Sequence, residues 1–133
     1  MARYTNPAVL SPPYGLYSQM SHSDGPLYFV AGQLAVEEDG TIIGKGDLAA
    51  QLREVLRRIE LAASSVGLGL GDVVQFTTYL AGRELMSEFY AAREILFDEL
   101  YPDGNYPPNT LVAVAGLVEE DLLVEIQAIL SGG

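Results

Sequence analysis

The sequence predicts a single α+β domain in which two helices cover one face of a mixed β-sheet. Two long segments carry apolar residues at helical spacing, and β-branched-rich runs bounded by turn formers surround them. With 133 residues, 49% of them hydrophobic, the chain can bury a core without disulfides. We therefore expect residues 1–133 to form one domain, a sandwich of helices on a sheet.

The N-terminal part is predicted to open with a β-hairpin. Residues 1–14 are rich in proline and lack periodicity, which favours an extended arm rather than a regular element. Residues 16–20 and 27–34 have strand character and flank a cluster of turn formers that contains His22. The favoured interpretation of His22 is an exposed turn residue.

Two helices are expected next, separated by a strand over residues 73–80. Asp47 is placed to accept a hydrogen bond from the first turn of a helix that continues to Val66, and Gly67 is placed to end it in a left-handed conformation. The second helix follows Arg83 and stops before Tyr101. The residues that share its apolar face are Met86, Phe89, Tyr90, Arg93, Leu96 and Leu100, with Ile95 and Phe97 widening it.

Two β-rich runs, 106–114 and 122–129, are interpreted as paired strands, with Glu125 in the middle of the second. A carboxylate among apolar residues is costly unless it is used or satisfied, and backbone amides or another subunit could satisfy it. Leu111 is expected on the same side as Glu125. Both sides of these strands are largely apolar, so we expect other subunits of a closed homo-oligomer to bury the side away from the helices.

The composition argues against several classes of function. Without cysteine and with one histidine, the chain lacks the residues for a Cys- or His-cluster metal site or a thiol nucleophile, and we expect no metal and no cofactor. A formal net charge of −11 disfavours nucleic acid as a partner, because binding the phosphate backbone relies on cationic side chains. No apolar run approaches a membrane span, so we expect no membrane partner and a cytoplasmic location.

Six segments in the same order over nearly the whole chain resemble the Rid family, also called the YjgF family. They are residues 15–19, 27–34, 46–47 with Gln51, 71–74, 106–110 and 123–128. The resemblance implies a homotrimer with a chorismate-mutase-like fold and small-molecule sites in clefts between subunits. The best-known activity in that family is hydrolysis of reactive enamines and imines to a keto acid and ammonia.

The resemblance also implies roles for individual residues. A glutamate that matches Glu125 orients the attacking water, and a tyrosine that matches Tyr17 lines the pocket, so these two are the implied catalytic residues. The implied substrate-binding residues are Asn109, Ala31, Gly32 and Leu111. Asn109 stands where the family has an arginine that grips the substrate carboxylate, and asparagine can replace one hydrogen bond of that arginine but not its charge.

Three functions fit these residues. The first is a hydrolytic deaminase of an imine, enamine or related small molecule that uses Glu125 and Tyr17. The second is a ligand-binding or regulatory trimer that has lost the chemistry, which Asn109 and Ala31 favour. The third is a specialised reaction in a biosynthetic or catabolic cluster, to which Asn109 would be an adaptation. Ribonuclease activity, attributed to some relatives, is disfavoured by the charge.

Two arginines near the second helix, Arg83 and Arg93, are candidates for the missing cation. A solvated surface position is the favoured interpretation of both, since arginine is rarely buried without a partner.

Overall fold

A computed structural model describes residues 2–132 and arranges them as two sheets and two α-helices. The elements are β1 (Arg3–Thr5), β2 (Met20–His22), β3 (Leu27–Gln33), α1 (Leu48–Ser64), β4 (Val73–Leu80), α2 (Met86–Leu100), β5 (Asn109–Ala113) and β6 (Val124–Ser131). The larger sheet is mixed, with strand order β3-β6-β4-β5, and β1 pairs with β2 in a small second sheet. Both helices pack on one face of the larger sheet, as the sequence predicts.

The ends of α1 are set by local residues, and both predicted caps are confirmed. The Asp47 carboxylate accepts a hydrogen bond from the Ala50 amide at 3.0 Å. Gly67 has a φ of +76°, and the Leu68 amide just beyond it donates to the Ala63 carbonyl at 2.9 Å. The helix itself ends at Ser64, slightly before the predicted end, because its last turn tightens ahead of the glycine.

The core lies between the helices and the sheet. The largest fully buried side chains are Phe76, Phe89, Leu48, Leu52, Leu56, Ile59, Leu80, Leu122, Leu130, Gln51, Val55 and Val73. On α2 the predicted apolar face is correct except at Tyr90 and Ile95, which are 44% and 70% exposed. The two helices are also joined on their solvent side, where the Arg53 guanidinium donates to both carboxylate oxygens of Glu99 at 2.9 and 3.3 Å.

The predicted N-terminal hairpin is wrong. β2 starts only at Met20 and pairs antiparallel with β1, a strand within the segment that was expected to be an irregular arm. β3 pairs with β6 from the far end of the chain instead. The side chain of Tyr4 ties β1 to the larger sheet by donating a hydrogen bond to the Val73 carbonyl. This contact explains why a proline-rich arm becomes ordered: its partners are distant in sequence.

The predicted pairing of the last two strands is also wrong, because β4 lies between them. β4 runs parallel to β5 and antiparallel to β6, and its residue Thr78 is paired with Leu111 on one side and Ile126 on the other. Paired residues share a face of the sheet, so Leu111 lies on the helix-covered face with Ile126. Glu125 is one residue away and therefore points to the opposite, open face, not to the face of Leu111 as expected.

The open face of the sheet carries exposed apolar side chains. In β3, Leu27 is 47% exposed and Phe29 is 73% exposed, and Val112 in β5 is 37% exposed. Large apolar side chains exposed on one face of a sheet often mark an interaction site. The face therefore fits the predicted burial by other copies of the chain.

Gln51 is a buried polar side chain that links α1 to two loops. Its amide nitrogen donates to the carbonyls of Gly44 and Asp121 at 3.1 and 3.0 Å, and its oxygen accepts from the Leu123 amide at 2.8 Å. Gln51→Leu should lower the free energy of unfolding by about 2–4 kcal/mol, because each group left unsatisfied costs about 1–3 kcal/mol.

Denaturant unfolding at one fixed protein concentration measures this loss. The matched control is Ala49→Leu, since Ala49 is exposed on α1, away from the open face of the sheet, and its substitution should change stability by less than about 0.5 kcal/mol. Equal stability of the two variants would contradict the assigned role of Gln51.

Candidate functional site

A cleft of about 270 Å³ opens where α2, the start of β5 and the loop before β2 meet. Its lining residues are Tyr14, Gly15, Tyr17, Tyr90, Arg93, Asn109, Thr110 and Leu111. Three residues proposed from the sequence, Tyr17, Asn109 and Leu111, are therefore brought together here. Four of the lining residues carry an aromatic ring or a guanidinium, groups that bind small molecules by stacking and directed hydrogen bonds.

Asn109 is oriented by its neighbour on β4. Its side-chain carbonyl oxygen accepts a hydrogen bond from the Thr78 hydroxyl at 2.9 Å, and Thr78 is buried. The amide nitrogen is then left with both hydrogens to donate elsewhere. Asn109 can therefore offer a directed donor to an oxygen in the cleft.

Tyr17 forms the opposite wall of the cleft. Its ring meets that of Tyr14 edge to face at 6.2 Å between centroids, and Tyr14 is 90% exposed. The adjacent Gly15 leaves no side chain between Tyr17 and α2, since a Cβ added there would stand 3.2 Å from Arg93 Nη2. The loop thus approaches α2 closely and places an aromatic ring beside a cation.

Arg93 is the main correction to the sequence-based site. It was expected on a solvated surface, but it is only 4% exposed and lines the cleft beside Asn109. The carbon at the centre of its guanidinium lies 5.1 Å from the ring centroid of Phe89, 5.2 Å from Tyr90 and 6.0 Å from Phe97. The aromatic surroundings of this helix position hold the charge inside the protein. Arg83, by contrast, is exposed at the start of the α2 segment.

The sequence contained a signal for this burial. Arg93 falls in the middle of the apolar face of α2, at helical spacing from Phe89 and Leu96, and this spacing indicated a side chain directed towards the core although a surface position was expected. Tyr14 and Tyr90 were also missed as cleft residues, and an isolated tyrosine in a loop or on a helix offers no comparable signal.

Glu125 lies outside this cleft, against the β3 strand. Its carboxylate covers Gly32: a Cβ added to Gly32 would stand 1.9 Å from Oε2 and 2.8 Å from Cδ. Gly32 and Ala31 occupy a β-bulge between Val30 and Gln33, where the pairing of β3 with β6 shifts. Three predicted residues, Ala31, Gly32 and Glu125, therefore form a second group.

Within the described part of the chain, the Glu125 side chain has no hydrogen-bond or ion-pair partner. Backbone amides of residues 2–132, one of the alternatives that the sequence left open, do not satisfy it. Glu125 is partly exposed, so the carboxylate remains open to a solvent molecule or to another copy of the chain.

One chain does not bring the two groups together, and the expectation that Asn109 and Glu125 lie on adjoining strands is wrong. Asn109 is paired with Phe76 of β4, whereas Glu125 is paired with Tyr79 of the same strand. Two strand spacings and three residues along β4 separate their backbones by roughly 14 Å. They also lie on opposite faces of the sheet, so the predicted residues form two half-sites.

The predicted site residues are not brought together elsewhere in the described part of the chain. A cavity of about 460 Å³ near the junction of β2 and β4 includes His22, which is exposed at the end of β2. Among residues 2–132, no group of three His, Cys, Asp or Glu side chains could hold a metal ion. None of the helices described is long and apolar enough to cross a membrane.

Comparison with known proteins supports the family indicated by the motifs. The model of the family described as Endoribonuclease L-PSP matches residues 9–131. A RutC family protein of Pyrococcus horikoshii is 34% identical over 88% of this chain and 87% of its own. The 3-aminoacrylate deaminase RutC of Acinetobacter baylyi is 31% identical over 92% of each chain.

Solved structures agree with these sequence matches. A Rid family protein of unknown function from Yersinia pestis has a TM-score of 0.83 and 25% identity, with 98% of each chain covered. Escherichia coli TdcF, solved with bound serine, has a TM-score of 0.69 and 26% identity over 96% of this chain and 94% of its own. Because the family model spans nearly the whole sequence and the fold agrees, the chain belongs to the YjgF/Rid family.

Proposed function

We propose that the protein hydrolyses a small imine or enamine and releases ammonia. Water adds to the carbon of the C=N bond, the C–N bond of the resulting carbinolamine breaks, and the products are a carbonyl compound and ammonia. An enamine enters the same route once it is protonated on carbon to give the imine. This reaction needs a group that orients and deprotonates water and a cleft that holds the substrate.

The observation that carries the proposal is the unpartnered carboxylate of Glu125. It is held against the β3 bulge, where Gly32 has no side chain to displace it, and it has no partner among residues 2–132. A carboxylate that accepts a hydrogen bond from water raises the nucleophilicity of the water oxygen. The 31% identity to a 3-aminoacrylate deaminase supports the same class of reaction.

The active site is proposed to be completed between copies of the chain in a homotrimer. The half-site with Tyr17 and Asn109 and the half-site with Glu125 lie on opposite faces of the sheet, so a single chain cannot present both to one small molecule. The exposed Phe29 and Leu27 lie on the same open face of the sheet as Glu125 and provide an apolar surface that a neighbouring copy can cover. Burial of that surface would seat Glu125 at the edge of a neighbour's cleft.

Ammonia release from a panel of imines and enamines, with and without a carboxylate, tests the reaction. We expect the wild-type protein to accelerate hydrolysis of at least one class above the buffer rate, and no acceleration of any of them would refute the proposal. Trimer assembly is measured separately by sedimentation.

Mixed trimers test the composite site. Tyr17→Ala and Glu125→Gln should each be inactive, but trimers refolded from an equal mixture should regain about a quarter of the wild-type activity. That fraction is the chance that one cleft receives its intact Tyr17 from one copy and its intact Glu125 from the next. Activity that does not rise on mixing would place both residues in a site formed by one chain.

A second candidate function is a ligand-binding trimer without catalysis. It is favoured by the cleft itself, which is lined by one chain and contains no acidic residue to handle water. In that case ligands would raise the melting temperature of wild-type and Glu125→Gln proteins equally, and neither protein would release ammonia. The nuclease activity implied by the family model's description is disfavoured by the net charge of −11.

A further inference from the structure

Arg93 is buried on α2 without an anionic partner. Its Nε has no hydrogen-bond acceptor, and within residues 2–132 no carboxylate forms an ion pair with its guanidinium. Buried charges in proteins are normally paired, because removing a charge from water costs free energy that a partner must offset. The guanidinium of Arg93 therefore lacks the anion that normally accompanies a buried positive charge.

The charge cannot be removed by deprotonation. Burial lowers the pKa of Arg93, while the nearby hydroxyls of Tyr90, Tyr106 and Tyr17 oppose that effect. An arginine side chain in a protein nevertheless keeps its proton at all physiological pH values. The cation–π contacts with Phe89, Tyr90 and Phe97 stabilise the charge from the ring faces but supply no hydrogen-bond acceptor to its N–H groups.

The cleft beside Arg93 is arranged to receive an anion despite the acidic chain. None of its lining residues is acidic, so Arg93 is the single charge at its surface. Asn109, whose oxygen is occupied by Thr78, presents its amide nitrogen as a second donor. Arg93 and Asn109 also both line a gap of about 10 Å³ between α2 and the sheet, so the two side chains face the same small space.

We infer that Arg93 is the anion-binding residue of this cleft and that the ligand is a small molecule with a carboxylate. The planar guanidinium fork matches the two oxygens of a carboxylate, and Asn109 can donate to an oxygen on the adjacent carbon. The cation of the site is thus supplied by a helix position instead of the β5 position where Asn109 stands. This inference identifies the class of ligand that the cleft binds. It rests on the proposed function only for the reaction that the bound ligand undergoes.

Binding tests the inference without any catalytic step. Pyruvate and its neutral amide, pyruvamide, have nearly the same shape, so calorimetric titration of both isolates the effect of the charge. Wild-type protein should bind pyruvate at least about tenfold more tightly than pyruvamide, since each hydrogen bond to a charged group contributes roughly a tenfold to hundredfold factor. Equal affinities, or no binding of either, would overturn the inference.

Substitutions at Arg93 and Arg83 test which residue produces the affinity for pyruvate. Arg93→Met keeps an unbranched stem against the aromatic rings and should lose about a hundredfold in pyruvate affinity, while Arg93→Lys should lose less. The matched control is Arg83→Met, which removes an exposed arginine near the start of α2 and should bind like the wild type. Pyruvate binding that survives in Arg93→Met would overturn the inference.

Unliganded stability distinguishes binding from a structural role. Because Arg93 has no ion-pair partner among residues 2–132 of the free chain, Arg93→Met should melt at the wild-type temperature or above it. A structural arginine would instead give a lower melting temperature in Arg93→Met, with pyruvate still preferred over pyruvamide. Failure of ammonia release with intact pyruvate binding would refute the proposed reaction and leave this inference standing.

Discussion

Glu125→Gln is expected to lower the rate of ammonia release by a factor of about 10²–10⁴, the range typical for loss of a general base. Glutamine keeps the size of the side chain and its position over Gly32, but its amide cannot take a proton from the attacking water. Hydrolysis of an imine generated in the assay, followed by ammonia detection, measures the rate. Pyruvate affinity should stay the same or increase, because the change removes a negative charge.

The matched control for this substitution is Glu120→Gln. Glu120 is exposed in the segment that precedes β6, so its loss changes the net charge by the same amount without touching either half-site. An equal fall in rate for both variants would mean that the overall charge, and not Glu125, governs the reaction.

Gly32→Ala gives an independent test, because it moves the carboxylate without removing it. The new Cβ would stand 1.9 Å from Oε2 and 3.0 Å from Cγ, so the side chain of Glu125 must rotate away. A rate loss close to that of Glu125→Gln is expected, since a misplaced base loses most of its effect. Gly116→Ala is the control, because a Cβ there meets no atom within 4 Å.

Features determined by nearby residues were predicted well, and pairing between distant strands was not. Asp47 and Gly67 fix the ends of α1 through contacts within a few residues, and both caps are confirmed. Insertion of β6 between β3 and β4 depends on contacts more than 40 residues apart, which no local pattern encodes. One pairing between distant strands could have been predicted from the sequence. Two strands joined by a helix usually lie parallel and side by side in a sheet, and β4, α2 and β5 have this arrangement.

The difference between local contacts and distant pairing also explains which parts of the site were predicted correctly. Motifs located Tyr17, Asn109 and Glu125, but their division between two faces followed from the strand order that was predicted wrongly. Arg93 was a candidate for the missing cation, but a surface position was favoured because arginine is usually exposed, although its position in the apolar face of α2 indicated burial. A pattern that places a charge inside a core is better evidence than the average behaviour of the residue type.

Asn109→Arg should destabilise the protein without improving carboxylate binding, because the cation of the cleft is already present. The new guanidinium would stand next to Arg93 and would also remove the hydrogen bond that Asn109 accepts from Thr78. Like-charge repulsion at an effective dielectric constant near 20, together with the lost hydrogen bond, predicts a decrease of about 2–4 kcal/mol in the free energy of unfolding. Denaturant unfolding without ligand measures this decrease.

The double variant Arg93→Met with Asn109→Arg should behave differently from the sum of its parts. With Arg93 gone, an arginine at position 109 faces no like charge and can grip the carboxylate from β5, so pyruvate affinity should recover by about tenfold or more relative to Arg93→Met. Stability should recover as well, which makes the two changes strongly non-additive. Tighter pyruvate binding by Asn109→Arg alone, at wild-type stability, would show that the two positions serve separate subsites and that Arg93 does not hold the carboxylate.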